Sequence, residues 1–131
     1  MEEIRKVHQF MMFAADTPMQ YAFADLLGDE TSWRGLAAFY QRKRDLLARE
    51  LSASRFELLP SAGSFFMLAR FRGFSDESDS EFALRLIRDH RVATIPLSAF
   101  YSDATDLGVI RLSFSKDDAT LIEGARRLRA V

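Results

Sequence analysis

A chain of 131 residues, 48% of them apolar, is long enough for one domain with a real core and too apolar to be disordered. A formal net charge of −1 with no basic block gives no footing for nucleic acid or for an anionic membrane. No cysteine means no disulfide framework and no thiolate chemistry, and without a membrane-length apolar window or a signal-peptide pattern the expectation is a cytoplasmic protein.

Residues Glu2 to about Phe13 read as a first helix, with Ile4, Val7, His8 and Met11 on one stripe. It starts at once, with no N-cap ahead of it, so the chain is expected to be cut from something longer. Phe10 to Ala15 is apolar all round, too much so for a turn facing solvent. Twelve phenylalanines point the same way, to an interface beyond one small core. Thr17-Pro18 reads as N-cap and first position of a second helix reaching Leu27, with Gly28 as its stop. A third helix is expected from about Ser32 to Leu51. Its stripe is Trp33, Leu36, Ala37, Tyr40, Leu47, Ala48 and Leu51. The charge run Gln41 to Asp45 within it reads as a solvated face.

After Ser52 the period changes. Phe56 to Leu59 is a short strand, Pro60 to Gly63 a turn, and Ser64 to Phe71 an interior strand apolar on both faces. Gly73 to Asp79 is an acidic loop, expected to be exposed. Ser80 is expected to cap a helix to His90 that turns Phe82, Ala83, Leu86 and Ile87 inward. Val92 to Ile95 is a strand ended by Pro96, and Leu97 to Leu107 is a long irregular loop of the kind that often carries function. Ser115 and Asp118 have capping-box spacing ahead of a last helix with Leu121, Ile122, Ala125 and Leu128 inward. The sum is an α/β (α+β) fold in which helices cover a small sheet.

The strand Val109 to Ser115 carries the main chemical signal. Ile110, Leu112 and Phe114 share one face and read as core; Val109, Arg111, Ser113 and Ser115 share the other. Arg111 is a guanidinium in mid-strand among small and polar neighbours, with the planar fork that suits a carboxylate or phosphate. From pattern alone it is an anion site, a solvated arginine or half of a structural ion pair. Little else competes with it. His8 and His90 are far apart and have no second ligand at metal spacing. There is no G-x-S-x-G, G-x-G-x-x-G or P-loop. The acid pairs Asp76/Glu77 and Asp117/Asp118 fall in a loop and at a helix start.

Six segments, in order, resemble the C-terminal region of the class I/II, fold-type I aminotransferases that use pyridoxal phosphate, near the methionine and kynurenine types. They are Arg5-Lys6-Val7-His8-Gln9; Thr17-Pro18-Met19-Gln20; Tyr40 with Lys43 to Leu47; Pro60-Ser61-Ala62-Gly63-Ser64-Phe65-Phe66; Val92 to Tyr101; and Ile110-Arg111-Leu112-Ser113-Phe114-Ser115-Lys116-Asp117-Asp118-Ala119-Thr120-Leu121. Together they run through nearly the whole chain.

The resemblance implies that Arg111 binds the substrate carboxylate. It also implies that Phe13 is the aromatic residue that reaches across a homodimer to the partner's active site, with residues 1–30 as interdomain and dimer-interface helices and 31–131 as the C-terminal small domain. The large cofactor-binding domain is then missing. The three lysines are Lys6, Lys43 and Lys116. Ser115-Lys116 matches the family's cofactor-lysine dipeptide but runs into Asp-Asp-Ala-Thr, so Lys116 is expected to be a surface residue. The parent enzyme is expected to move an amino group from a methionine-type or aromatic amino acid to a 2-oxo acid with pyridoxal 5'-phosphate. The fragment, lacking the Schiff-base lysine, is expected to be inactive and without cofactor. A β-lyase or decarboxylase of the same fold, and a free-standing ligand-binding or dimerisation module, stay open beside it.

Overall fold

In the computed structural model of the chain, which describes residues 1–131, Met1–Ala37 and Ala38–Val131 form two units. The first holds helices α1 (Glu2–Met11) and α2 (Thr17–Gly28), then a single 3-10 turn, Glu30–Ser32. α1 ends two residues short of Phe13. Asp16 takes the N-cap position of α2 without a side-chain capping bond, so Thr17 and Pro18 are its first two helical residues rather than cap and first position. That shift is physically cheap, because Pro at either opening position lacks only an N–H that the helix leaves unpaired anyway. Gly28 is the last helical residue. Asp29 then leaves the helix in extended conformation, and its carboxylate accepts from the Thr31 N–H at 3.0 Å to cap the 3-10 turn. The Trp33 indole N–H donates to the Leu27 carbonyl at 3.2 Å. No side chain of α1 or α2 is buried.

Helix α3 (Leu36–Leu51) begins four residues later than its apolar stripe suggested, because Ser32 is spent closing the 3-10 turn on the Leu26 and Asp29 carbonyls. Within the second unit it buries Lys43, Leu46, Leu47 and Leu51. Lys43 therefore corrects the reading of Gln41–Asp45 as a solvated face. Its ammonium is buried and meets the Asp118 carboxylate at 2.6 Å, with Arg42 on the other oxygen at 2.8 Å. This pairing gives a buried cation a partner 75 positions away.

Strands β1 (Glu57–Leu58), β2 (Phe66–Arg70), β3 (Ile95–Pro96) and β4 (Val109–Ser113) form one antiparallel sheet in the order β1-β2-β4-β3. β3 starts later than expected, and Pro96 belongs to it instead of ending it. A proline is tolerated there because β3 is an edge, where no second neighbour needs its N–H. The register Met67↔Leu112 and Ala69↔Ile110 puts these four on one face, where they join Phe71, Phe114 and the inner residues of α3, α4 (Asp79–His90) and α5 (Asp118–Leu128) in a single core. Phe71 and Phe82 stack in parallel with ring centroids 3.9 Å apart, and Phe82 meets Phe56 and Phe74 edge-on. The helices thus cover one face of a small sheet, as the α+β reading required.

Two caps lie elsewhere than expected. Ser78, not Ser80, caps α4 in a reciprocal capping box with Glu81. Asp117, rather than a Ser115/Asp118 pair, caps α5 by accepting from the Thr120 N–H at 2.7 Å. The segment Gly73–Asp79 is also more ordered than an exposed acidic loop. Glu77 is gripped by the Arg85 guanidinium at 2.8–3.0 Å, which holds its carboxyl below the usual range. Asp79 is buried outright. One glycine is obligatory: Gly108, just ahead of β4, has φ +62°, and a Cβ there would lie 2.6–2.7 Å from Arg72.

Candidate functional site

The core face of the sheet uses up Ile110, Leu112 and Phe114, so strand geometry sends Arg111 to the other face. The register places it beside Leu68 on β2 and Ile95 on β3. Arg111 is half-buried, and its guanidinium carbon lies 4.0 Å from the Phe66 ring centre and 4.8 Å from that of Phe100. Two aromatic faces hold the cation in place and desolvate it. Neither Phe66 nor Phe100 was singled out as a site residue by sequence reasoning. Phe66 was within reach, since it shares the outward face with Ser113 once the strand register is known. Phe100 was not, because no periodicity links a 3-10 turn to a strand.

Arg111 Nε is buried and has no hydrogen-bond partner, one of two such side-chain atoms in the chain. The arginines at the end of β2 and just past it are provided for: Arg70 pairs with Glu57 at 3.0 Å and Arg72 with Asp106 at 3.1 Å. No carboxylate pairs with Arg111. A buried donor on a permanent cation costs free energy unless something accepts from it. The arrangement combines a rigid strand position, a stacked guanidinium and an unused N–H. It removes two of the alternatives left by the pattern, the structural ion pair and the freely solvated arginine.

The Arg111 face is bordered by the segment 97–108. It opens with the 3-10 turn Leu97–Phe100 and closes at Gly108. Asp106 holds the closing end. Burial opposes its ionisation, but N–H donors from Gly108 and Asp79 and the Arg72 guanidinium outweigh that and hold its carboxyl below the usual range.

Phe13 lies in the first unit, in the turn after α1, and is 87% exposed. Around it Phe10, Met11 and Met12 are exposed as well. The apolar excess foreseen at this stretch is therefore surface within this chain.

The lysines decide whether a pyridoxal phosphate site can be made from these residues. Lys6 lies on exposed α1 against Glu2 and Glu3. Lys43 is buried against Asp118. Lys116 is exposed ahead of α5, at the rim of an open groove of about 600 Å³ walled mainly by Leu47, Val92, Leu112, Leu121 and Leu128. At the same groove Arg126 and Arg127 hold the Glu123 carboxyl down to about 2. None of the three combines an enclosed position with an amine free to form a Schiff base. The residues of this chain do not fit that cofactor. Nor is any group of three or more His, Cys, Asp or Glu placed to hold a metal ion, and no helix is long and apolar enough to cross a membrane.

Comparison with known proteins identifies the family. The family model for aminotransferase class I and II matches residues 1–128. Methionine aminotransferase of Escherichia coli (strain K12) is 44% identical over 128 residues, covering 97% of this chain and 33% of that protein. A crystal structure of an Escherichia coli methionine aminotransferase superposes with a TM-score of 0.83 over 99% of this chain and 34% of its own. That of N-succinyldiaminopimelate aminotransferase from Mycobacterium tuberculosis, 33% identical, does so with 0.80 over 93% and 32%. The chain spans about a third of the length of each of these relatives. By the extent of the match and the fold alike, it belongs to the class I and II aminotransferase family.

Proposed function

We propose that this chain is the substrate-carboxylate-binding part of an aminotransferase that moves an amino group from a methionine-type or aromatic amino acid to a 2-oxo acid. The observation that carries the proposal is the unpartnered, aromatic-stacked guanidinium of Arg111. In this reading Arg111 binds the α-carboxylate by donating two parallel N–H···O bonds, a geometry that fixes both position and orientation. Holding the substrate there converts a diffusive encounter into an oriented one, which is where a binding residue contributes to rate. Residues 31–131 form the small domain, and residues 1–30 are interdomain and dimer-interface helices, with Phe13 reaching the partner's site in a cytoplasmic homodimer.

Pyridoxal phosphate supplies the electron-sink chemistry of amino transfer, and its lysine and phosphate ligands lie in residues outside this chain. The 131 residues alone are then inactive.

The test is made on the full-length protein. Arg111→Ala is expected to lower kcat/KM for L-methionine about a hundredfold, mostly through KM, with the cofactor absorbance band retained. Arg111→Lys keeps the charge and loses the fork, so it falls between. An unchanged KM in the alanine variant, or loss of the cofactor band, overturns the role.

A further inference from the structure

Asp79 is the most deeply buried carboxylate in the chain, 1% exposed, and no cation pairs with it. Such a group is costly unless its oxygens are fully engaged. Here the engagement is specific. Oδ2 accepts the Ser98 backbone N–H at 2.7 Å and Oδ1 accepts the Ser98 hydroxyl at 2.6 Å, with the Ser80 hydroxyl at 3.4 Å. As the first residue of α4, Asp79 also has the helix dipole in its favour. Its own N–H donates to Asp106 Oδ2 at 3.0 Å, and Asp106 in turn takes the Gly108 N–H at 2.7 Å. The start of α4 therefore fastens both ends of the segment 97–108.

Ser98 sits in the turn that presents Phe100. Its carbonyl accepts the Tyr101 N–H at 3.0 Å, closing the backbone around Phe100. Phe100 is 58% exposed, so packing does little to hold it. Its place over the Arg111 guanidinium depends on the backbone that carries it, and that backbone is tied at Ser98 to Asp79.

We propose that Asp79 is a positioning residue for the anion site: through Ser98 it sets the 3-10 turn that lays Phe100 against Arg111, and so sets affinity for the substrate carboxylate. The inference rests on the reading of Arg111 as the carboxylate site. Asp79 touches no substrate; it acts through the turn. Its role is geometric, so an amide should serve as well as a carboxylate. The oxygen of an asparagine accepts the Ser98 N–H, and its NH2 donates to the Ser98 hydroxyl.

The experiment is steady-state kinetics of the full-length protein with L-methionine, with cofactor absorbance and thermal unfolding recorded for each variant. Asp79→Ala is expected to raise KM about tenfold with kcat within about twofold and the cofactor band intact. Asp79→Asn is expected to restore KM to within about twofold of the parent. Phe100→Ala is expected to match Asp79→Ala, and the double variant to be no worse than Phe100→Ala alone, because both remove the same contact. Should Asp79→Ala not fold, Ser98→Ala tests the same link, with an expected rise in KM of about threefold.

An unchanged KM in folded Asp79→Ala, or in Ser98→Ala where the former is lost, overturns the inference. So do an Asp79→Asn as impaired as Asp79→Ala, and effects of Asp79→Ala and Phe100→Ala that multiply. If Arg111→Ala itself leaves KM unchanged, the carboxylate site falls and the inference with it. If Arg111→Ala raises KM and the Asp79 variants do not, only the inference falls.

Discussion

Met1–Ala37 and Ala38–Val131 are both rich in large apolar side chains, and only the second buries them. Phe82, Phe71 and Phe114 are sealed in the second unit, while Phe10, Phe13 and Phe23 of the first are more than half exposed. The two cases look alike as sequence: apolar residues at helical spacing. They differ in what lies opposite. α4 and α5 turn their stripes onto one face of a sheet, whereas α1 and α2 bury nothing within the chain. An apolar stripe alone therefore does not say whether a helix is covered, or by what.

The sharpest way to break this contrast is one phenylalanine from each unit. Phe82→Ala removes a fully buried ring stacked on Phe71, and the cavity it leaves should cost about 3–5 kcal/mol in urea unfolding. Phe10→Ala should change the stability of the same chain by less than about 0.5 kcal/mol. Similar losses for the two would mean that α1 is packed within the chain after all. The glycines make a second, smaller pair. Gly108→Ala forces a Cβ into Arg72 at φ +62° and should cost about 2 kcal/mol, partly by dislodging the Arg72–Asp106 pair. Gly28→Ala, at the open end of α2 with nothing near it, should be neutral or stabilise by up to about 1 kcal/mol. Calorimetric scans of both variants check the ranking.

How much was legible before the fold was known divides by range. The β4 alternation was local, so the split between Ile110, Leu112 and Phe114 on one side and Arg111 on the other could be read directly, and the structure keeps it. The capping box of α4 was legible too. Ser78 and Glu81 have the required spacing, and Ser80 was the wrong choice among three candidate serines. Lys43 and Asp79 were not legible. A lysine in a charge run and an aspartate closing an acidic loop both read as solvated, and each is buried only because a partner far along the chain, Asp118 or Ser98, comes to it. The same holds for the setting of Arg111. The residue stood out by its place in a strand, but the rings that stack on it come from two separate elements. Chain-local rules find the charge; tertiary contact decides whether it is spent on structure or left for a ligand.

That distinction also governs the first unit. If the exposed stretch Phe10–Phe13 is a seam between copies, the 131-residue chain should self-associate in solution through it. Burying one such ring is worth about 1.5–3 kcal/mol, enough to change a dissociation constant by roughly tenfold or more. Phe10→Ser with Met11→Ser should therefore shift sedimentation toward monomer while leaving unfolding of the second unit unchanged, since neither residue belongs to its core. A parent chain that sediments as a clean monomer would remove the dimer role from this face and leave its apolar surface without an assigned use. Association that survives both substitutions would move the seam elsewhere, and the exposed rim of the open groove at Lys116, Ala119 and Thr120 would then be the surface to mutate next.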